Sequence, residues 1–206
     1  MKRVTKILWY ELILLIGFSG AVAGTGQNGK LRTAQPKLND SRFERWIEFK
    51  SKEGNFSILF PDAPETHSPD DEPTGPLPMY SATYQSTIHY TAMCIDYPEN
   101  LEAPIVAKDV LDKARDSGLI GSAEALEHPK LISEREVSFE GHPARELRIN
   151  MSGGRVALCK FIIIKNHFYL LEVVLPKPTP PSRRTIDYEK IARFFLDSFR
   201  TIQETA

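Results

Sequence analysis

Residues 155–175 read RVALCKFIIIKNHFYLLEVVL. Two runs rich in β-branched and aromatic residues, Arg155 to Lys165 and Phe168 to Leu175, flank a turn at Asn166, the pattern of a β-hairpin. Side chains alternate between the two faces of a strand. The first run therefore places Val156, Leu158, Ile162 and Ile164 on one face, and Ala157, Cys159, Phe161 and Ile163 on the other. A strand that is apolar on both faces must be covered on both. This hairpin belongs in the middle of a sheet with a layer above and a layer below, and helices are the expected cover. The turn also fixes a register, in which Cys159 stands opposite a residue near Glu172 and far from His167.

Working outward, residues 176–181 (PKPTPP) form a stiff linker to a closing helix over about Asp187–Phe199. Tyr188, Ile191, Ala192, Phe195 and Phe199 give that helix its buried stripe. Thr185 is its expected N-cap, with Asp187 and Glu189 favourable in the first turn. Towards the N-terminus, Leu131–Phe139 and Ala144–Met151 read as strands joined at Glu140-Gly141-His142-Pro143. Before them, Pro104 opens a helix whose stripe is Val106, Val110, Leu111 and Ala114 and which Gly118 ends. Met79–Gln85 and Ile88–Tyr97 form another hairpin. Trp46–Phe49 and Phe56–Phe60 are short strands around a turn at Lys52–Asn55. Between these last two pairs, Pro61–Pro78 holds six prolines and Asp70, Asp71 and Glu72, and is expected to be a loop. The expected fold class is α+β: a mostly antiparallel β-sheet with helices packed on both faces, an α/β/α sandwich. It forms a single domain over residues 46–200, preceded by a flexible leader at 24–45 and followed by a tail at 201–206.

Residues 1–23 read as a secretory signal peptide. Lys2, Arg3 and Lys6 make a basic start, Leu12–Ala23 (LILLIGFSGAVA) is uncharged and apolar, and Ala21-Val22-Ala23 offers small residues for cleavage. Glu11 shortens the apolar run, and twelve residues are too few to span a bilayer, which takes about 20. Cleavage after Ala23 would give an exported protein, periplasmic or extracellular, with no integral membrane association. An uncleaved N-terminal anchor is the other reading. No Cys near the cleavage point invites lipid modification.

The chain carries 26 basic and 27 acidic residues, a formal charge of −1. The signal segment holds three basic residues and one acidic, so its removal would leave a charge of about −3. That balance excludes electrostatic capture of nucleic acid or of an anionic membrane. Cys94 and Cys159 lie inside apolar strands and read as buried thiols, with a disulfide as the alternative that export permits.

A search for chemistry assigns no catalytic, cofactor-binding or metal-binding residue. Gly24-Thr-Gly26-Gln-Asn-Gly29 spells G-x-G-x-x-G but follows no strand and opens no helical stripe, so it is a chance match. No G-x-S-x-G, H-E-x-x-H or P-loop occurs. The five histidines are scattered. His67 with Asp70, Asp71 and Glu72 has the composition of an oxygen-rich cation site, but equally of a solvated acidic loop. Cys159 has no histidine in reach under the hairpin register. His142 reads as a turn residue, and Glu140 and Glu146 are splayed by their hairpin. Asn39, Asn55 and Asn150 each begin a glycosylation acceptor, relevant only to secretion in a eukaryote.

The order of motifs resembles the PsbP-like family, the extrinsic proteins of photosystem II and their bacterial and fungal relatives. The matching pieces are Trp46, then Glu53-Gly54-Asn55-Phe56-Ser57-Ile58-Leu59-Phe60-Pro61, Pro64-Glu65, Tyr90, and Tyr97-Pro98. Phe139-Glu140-Gly141-His142-Pro143-Ala144-Arg145-Glu146 and the closing Phe195-Leu196-Asp197-Ser198-Phe199 complete the set. These are turn and core residues, so the resemblance implies a fold more than an activity. Its members are mostly non-catalytic: they assemble with larger complexes or have no known job, so the resemblance implies no cofactor. A chloroplast transit peptide would be Ser-rich and lack a hydrophobic core, unlike this N-terminus, so the expected relative is an exported bacterial one. The expected function is an exported, non-catalytic domain that docks on a protein partner in the envelope or outside the cell. The alternatives are a small-molecule or ion binder with a pocket between sheet and helix, and an enzyme of unrecognised type.

Overall fold

The computed structural model describes residues 45–67, 79–120, 129–177 and 187–202. The signal segment, the leader, most of the Pro61–Pro78 stretch with its acidic group, and the Thr185 cap lie outside them. Ten strands and two helices follow in order. They are β1 (Ile47–Ser51), β2 (Phe56–Phe60), β3 (Glu65–His67), β4 (Met79–Tyr84), β5 (Ile88–Asp96), α1 (Pro104–Ile120), β6 (Lys130–Phe139) and β7 (His142–Asn150). The chain closes with β8 (Val156–Ile164), β9 (His167–Leu175), α2 (Tyr188–Asp197) and β10 (Arg200–Thr201).

The main sheet has seven strands in the order β3-β4-β5-β9-β8-β7-β6, every pairing antiparallel. The β8–β9 hairpin sits towards its middle and is buried along its whole first strand. The two apolar sets separate as the alternation requires. Val156, Leu158, Ile162 and Ile164 join one core with Phe60, Tyr90, Phe195 and Phe199. Ala157, Cys159, Phe161 and Ile163 join a second core with Ala107, Val110, Leu111 and Ala114 of α1.

The α/β/α sandwich with helices packed on both faces is overturned. Among the described residues strand outweighs helix, 53% against 21%, and the first face is roofed largely by strand. A second sheet of order β1-β2-β10 lies over it, and its Phe56, Ile58 and Phe60 fill the same core as α2. Among the described residues, α1 is the one helix on the other face. α+β fits only loosely, as a description of mainly antiparallel strand with two helices. The physical reason is that Phe56–Phe60 is buried at every position. A strand of that kind is itself a cover, and no second helix is needed beside α2.

Local details differ too. Pro61–Pro78 is not all loop, because Glu65–His67 pairs with Ser81–Met79 as an edge strand. Gly118 does not end α1, which runs to Ile120. Val106 is 36% exposed and Ala107 takes its place in the stripe. Asp187 caps α2, its carboxylate accepting from Lys190 N–H at 3.0 Å. At the other end the Ser198 hydroxyl donates to the Phe195 carbonyl and accepts from Leu59 N–H, pinning α2 to β2.

Glu140 and Gly141 (φ 51° and 91°) make the tight β6–β7 turn, a left-handed conformation that glycine adopts freely. Gly54 meets a different need. A Cβ there would stand 2.8 Å from the Phe56 ring and 3.0 Å from Ser51 Oγ.

Candidate functional site

Three donor groups of different chemistry meet at one end of the β5–β9 pair. Asp96 lies directly opposite His167, and Cys94 directly opposite Tyr169. Residues two apart share a face, so the register gathers all four side chains on the side of the first core. Asp96 Oδ1 and His167 Nδ1 are hydrogen-bonded to each other. One donor atom each from Cys94, Asp96 and His167 lies within 4.8 Å of the others. Burial dominates the surroundings of the Cys94 sulfur, and Tyr169 beside it partly offsets that burial.

The site is held rigidly. The β8–β9 turn clamps the chain leaving β5: Tyr97 N–H donates to the Asn166 carbonyl at 2.8 Å, and Leu101 N–H to the Lys165 carbonyl at 2.7 Å. Asn166 Nδ2 donates back to the Tyr97 carbonyl. Asp96 and His167 reach the surface, with side chains 48% and 20% exposed, while Cys94 lies beneath them at 1%.

Cysteine, histidine and aspartate together suggest a nucleophile, a base and an orienting acid. The environment opposes that use. Burial, then the Asp96 charge, push the Cys94 thiol up to about 12, so the nucleophilic thiolate is suppressed at neutral pH. Cys159 is no better placed. Burial first, and Glu172 beside it, raise its thiol well above the usual range. The hairpin register puts Cys159 opposite Glu172, with Sγ 3.6 Å from Oε2. Both thiols are free, and they sit in different cores on opposite faces of the sheet, so they are not bridged.

The remaining candidates serve the fold. His67 hydrogen-bonds Ser81 Oγ at 2.8 Å. His142 is more than a turn residue: its Nδ1 meets Glu102 Oε1 at 2.6 Å, fastening the start of β7 to the approach to α1. Glu146 does not pair with Glu140 but gathers cations, with Arg135 at 2.7 Å, Arg193 at 3.4 Å and Lys160 at 3.9 Å. Burial pushes its carboxyl up, but the hydrogen bond from Arg135 and the charges of Arg135, Lys160 and Arg193 together hold it below the ordinary value. Under α1, Arg145 is 2% exposed, donates to Asp112 Oδ1 at 2.6 Å and forms an ion pair with Glu134 Oε1 at 2.8 Å. Sequence reasoning missed this ionic clamp and the Cys94 cluster alike, since both depend on which strands pair. The only local signal was the i, i+2 spacing of Cys94 with Asp96 and of His167 with Tyr169.

One further surface stands out. β6, ten residues long, ends the main sheet, so one of its edges carries no strand among the described residues. Seven of its first eight residues are exposed. Leu131 and Ile132 are 37% and 53% exposed, beside a register shift in the β6–β7 ladder.

No family model matches the chain, and no curated protein does. Among solved structures, that of cyanobacterial PsbP (CyanoP) from Synechocystis sp. PCC 6803 matches with a TM-score of 0.53 at 10% identity, covering 82% of this chain and 98% of that one. The fold is PsbP-like. A protein of unknown function, PA94, from Pseudomonas aeruginosa matches with a TM-score of 0.35 at 12% identity, over 64% of this chain and 83% of its own. The PsbP-like likeness rests on architecture alone, since at 10% identity it assigns a role to no residue. Among the described residues no helix is long and apolar enough to cross a membrane.

Proposed function

We propose that this chain is an exported, non-catalytic domain that docks on a protein partner in the cell envelope or outside the cell. The observation that carries the reading is the edge of β6 on which no strand lies among the described residues. An unpaired strand edge presents a row of backbone donors and acceptors to which a partner can add an extended segment. Exposed Leu131 and Ile132 at one end of that edge supply apolar anchors. The buried thiols support the absence of catalysis. The N-terminal basic and apolar segments support export. The Cys94, Asp96 and His167 donors favour ion binding as a second property of the domain over any enzymatic one.

The test is cross-linked capture from the envelope extract of the source organism, using residues 24–206 with and without Ile132→Lys. The expected result is one protein enriched by the parent chain and lost with the variant, whose thermal unfolding is unchanged. No specific enrichment, or enrichment that Ile132→Lys leaves intact, overturns docking through this edge.

A further inference from the structure

We infer that Cys94, Asp96 and His167 form a binding site for one borderline-soft divalent cation of the zinc class. This goes beyond docking and does not depend on it.

The donor set selects the ion. A thiol sulfur, an imidazole nitrogen and one carboxylate oxygen suit Zn2+ and its neighbours, whereas Ca2+ and Mg2+ demand mostly oxygen. Geometry also fits. Bond lengths of about 2.3 Å to sulfur and 2.0–2.2 Å to nitrogen and oxygen place tetrahedral donors roughly 3.3–3.6 Å apart. Here the three donor atoms lie within 4.8 Å of one another before any ion draws them in. The longest side of the triangle closes by about an ångström while the hydrogen-bonded Asp96–His167 side opens to admit the ion, and Asp96, half exposed, has the freedom to move.

The surroundings are those of a ligand set. Cys94 and Asp96 share one strand, and His167 stands across the pair from Asp96, so the backbone fixes all three. Asp96 already orients the imidazole. Tyr169 stands directly across the pair from Cys94, in the position from which an outer hydroxyl steadies a metal thiolate. An ion arrives from the Asp96 side and meets the sulfur at the bottom of the site. The sulfur–metal bond forms as the thiol proton leaves to solvent, and the fourth coordination position faces outward.

The experiment titrates the purified, metal-free protein with Co2+ and then Zn2+. The expected result is a thiolate-to-cobalt charge-transfer band that saturates at one equivalent and is abolished by Zn2+. Cys94→Ser should remove the band, Cys159→Ser should leave it, and His167→Ala and Asp96→Asn should each weaken Zn2+ binding at least tenfold. Because Cys94→Ser touches a core, far-ultraviolet circular dichroism of each variant checks folding, and the surface change Asp96→Asn tests the site independently. No thiolate band, a band that survives Cys94→Ser, or Zn2+ affinity unchanged by both His167→Ala and Asp96→Asn overturns the site.

Discussion

Glu172→Gln should stabilise this protein at neutral pH and not at acid pH. Glu172 lies in β9 between Cys159 of β8 and Thr91 of β5, half-buried on the side of the second core. Burial, partly offset by the Cys159 thiol and then Arg155, raises its carboxyl from 4.5 to about 6. The folded group titrates above the unfolded one. Its contribution is therefore present in full below about pH 4.5 and lost as the pH rises through about 6. One and a half pH units at 1.36 kcal/mol each amount to about 2 kcal/mol that the ionised carboxylate costs above neutrality. Glutamine keeps the shape and an acceptor for the thiol but never ionises. Urea unfolding of parent and variant at pH 4, 5, 6 and 7.5 measures the difference, with equal denaturant slopes as the control. The variant should gain about 2 kcal/mol between pH 4 and pH 7.5, a rise in Tm of roughly 4–8 °C relative to the parent at the higher pH. Any constant offset from the new amide cancels in that comparison. A stability difference independent of pH would refute the reasoning.

Other outcomes follow from the same contacts. Neither Cys94 nor Cys159 should react with Ellman's reagent in the native protein, and both should react in denaturant, since they are 1% and 3% exposed; fast native reaction of either would contradict the core assignment. Arg145→Ala should cost about 3 kcal/mol in urea unfolding, because it dissolves the buried clamp that joins α1 to β6 and β7. Phe199→Ala should cost about 3–5 kcal/mol, since its ring, 0% exposed, packs against Phe56, Tyr169 and Phe139 with centroids 5.7, 5.0 and 5.3 Å away.

Much of the fold was legible because alternation is a local property. The two apolar faces of Val156–Ile164, the stripe of α2 and the left-handed turn at Gly141 all depend on residues a few positions apart. The Cys159–Glu172 register was readable for the same reason, as a tight turn counts residues outward from itself. What alternation does not encode is which strands share a sheet. Phe56–Phe60 reads as a buried strand in any setting, and only tertiary packing puts it in a separate sheet with β10 and so replaces the expected layer of helices. Cap choice failed locally. Asp187 and Thr185 are both good caps, and the side chain that reaches Lys190 N–H decides between them. The Cys94 cluster was hidden most deeply, because Asp96 and His167 are 71 residues apart in the chain. The antiparallel pairing of β5 with β9 is what brings them together.

The central claim is that the β6 edge engages a protein partner. Its most direct test is site-specific photo-cross-linking in intact cells of the source organism, with the probe placed at Ile132 on that edge or at Lys52 in the β1–β2 turn. The account predicts a discrete adduct with one protein from Ile132 and none from Lys52. No adduct from Ile132, or the same adduct from both positions, would contradict it.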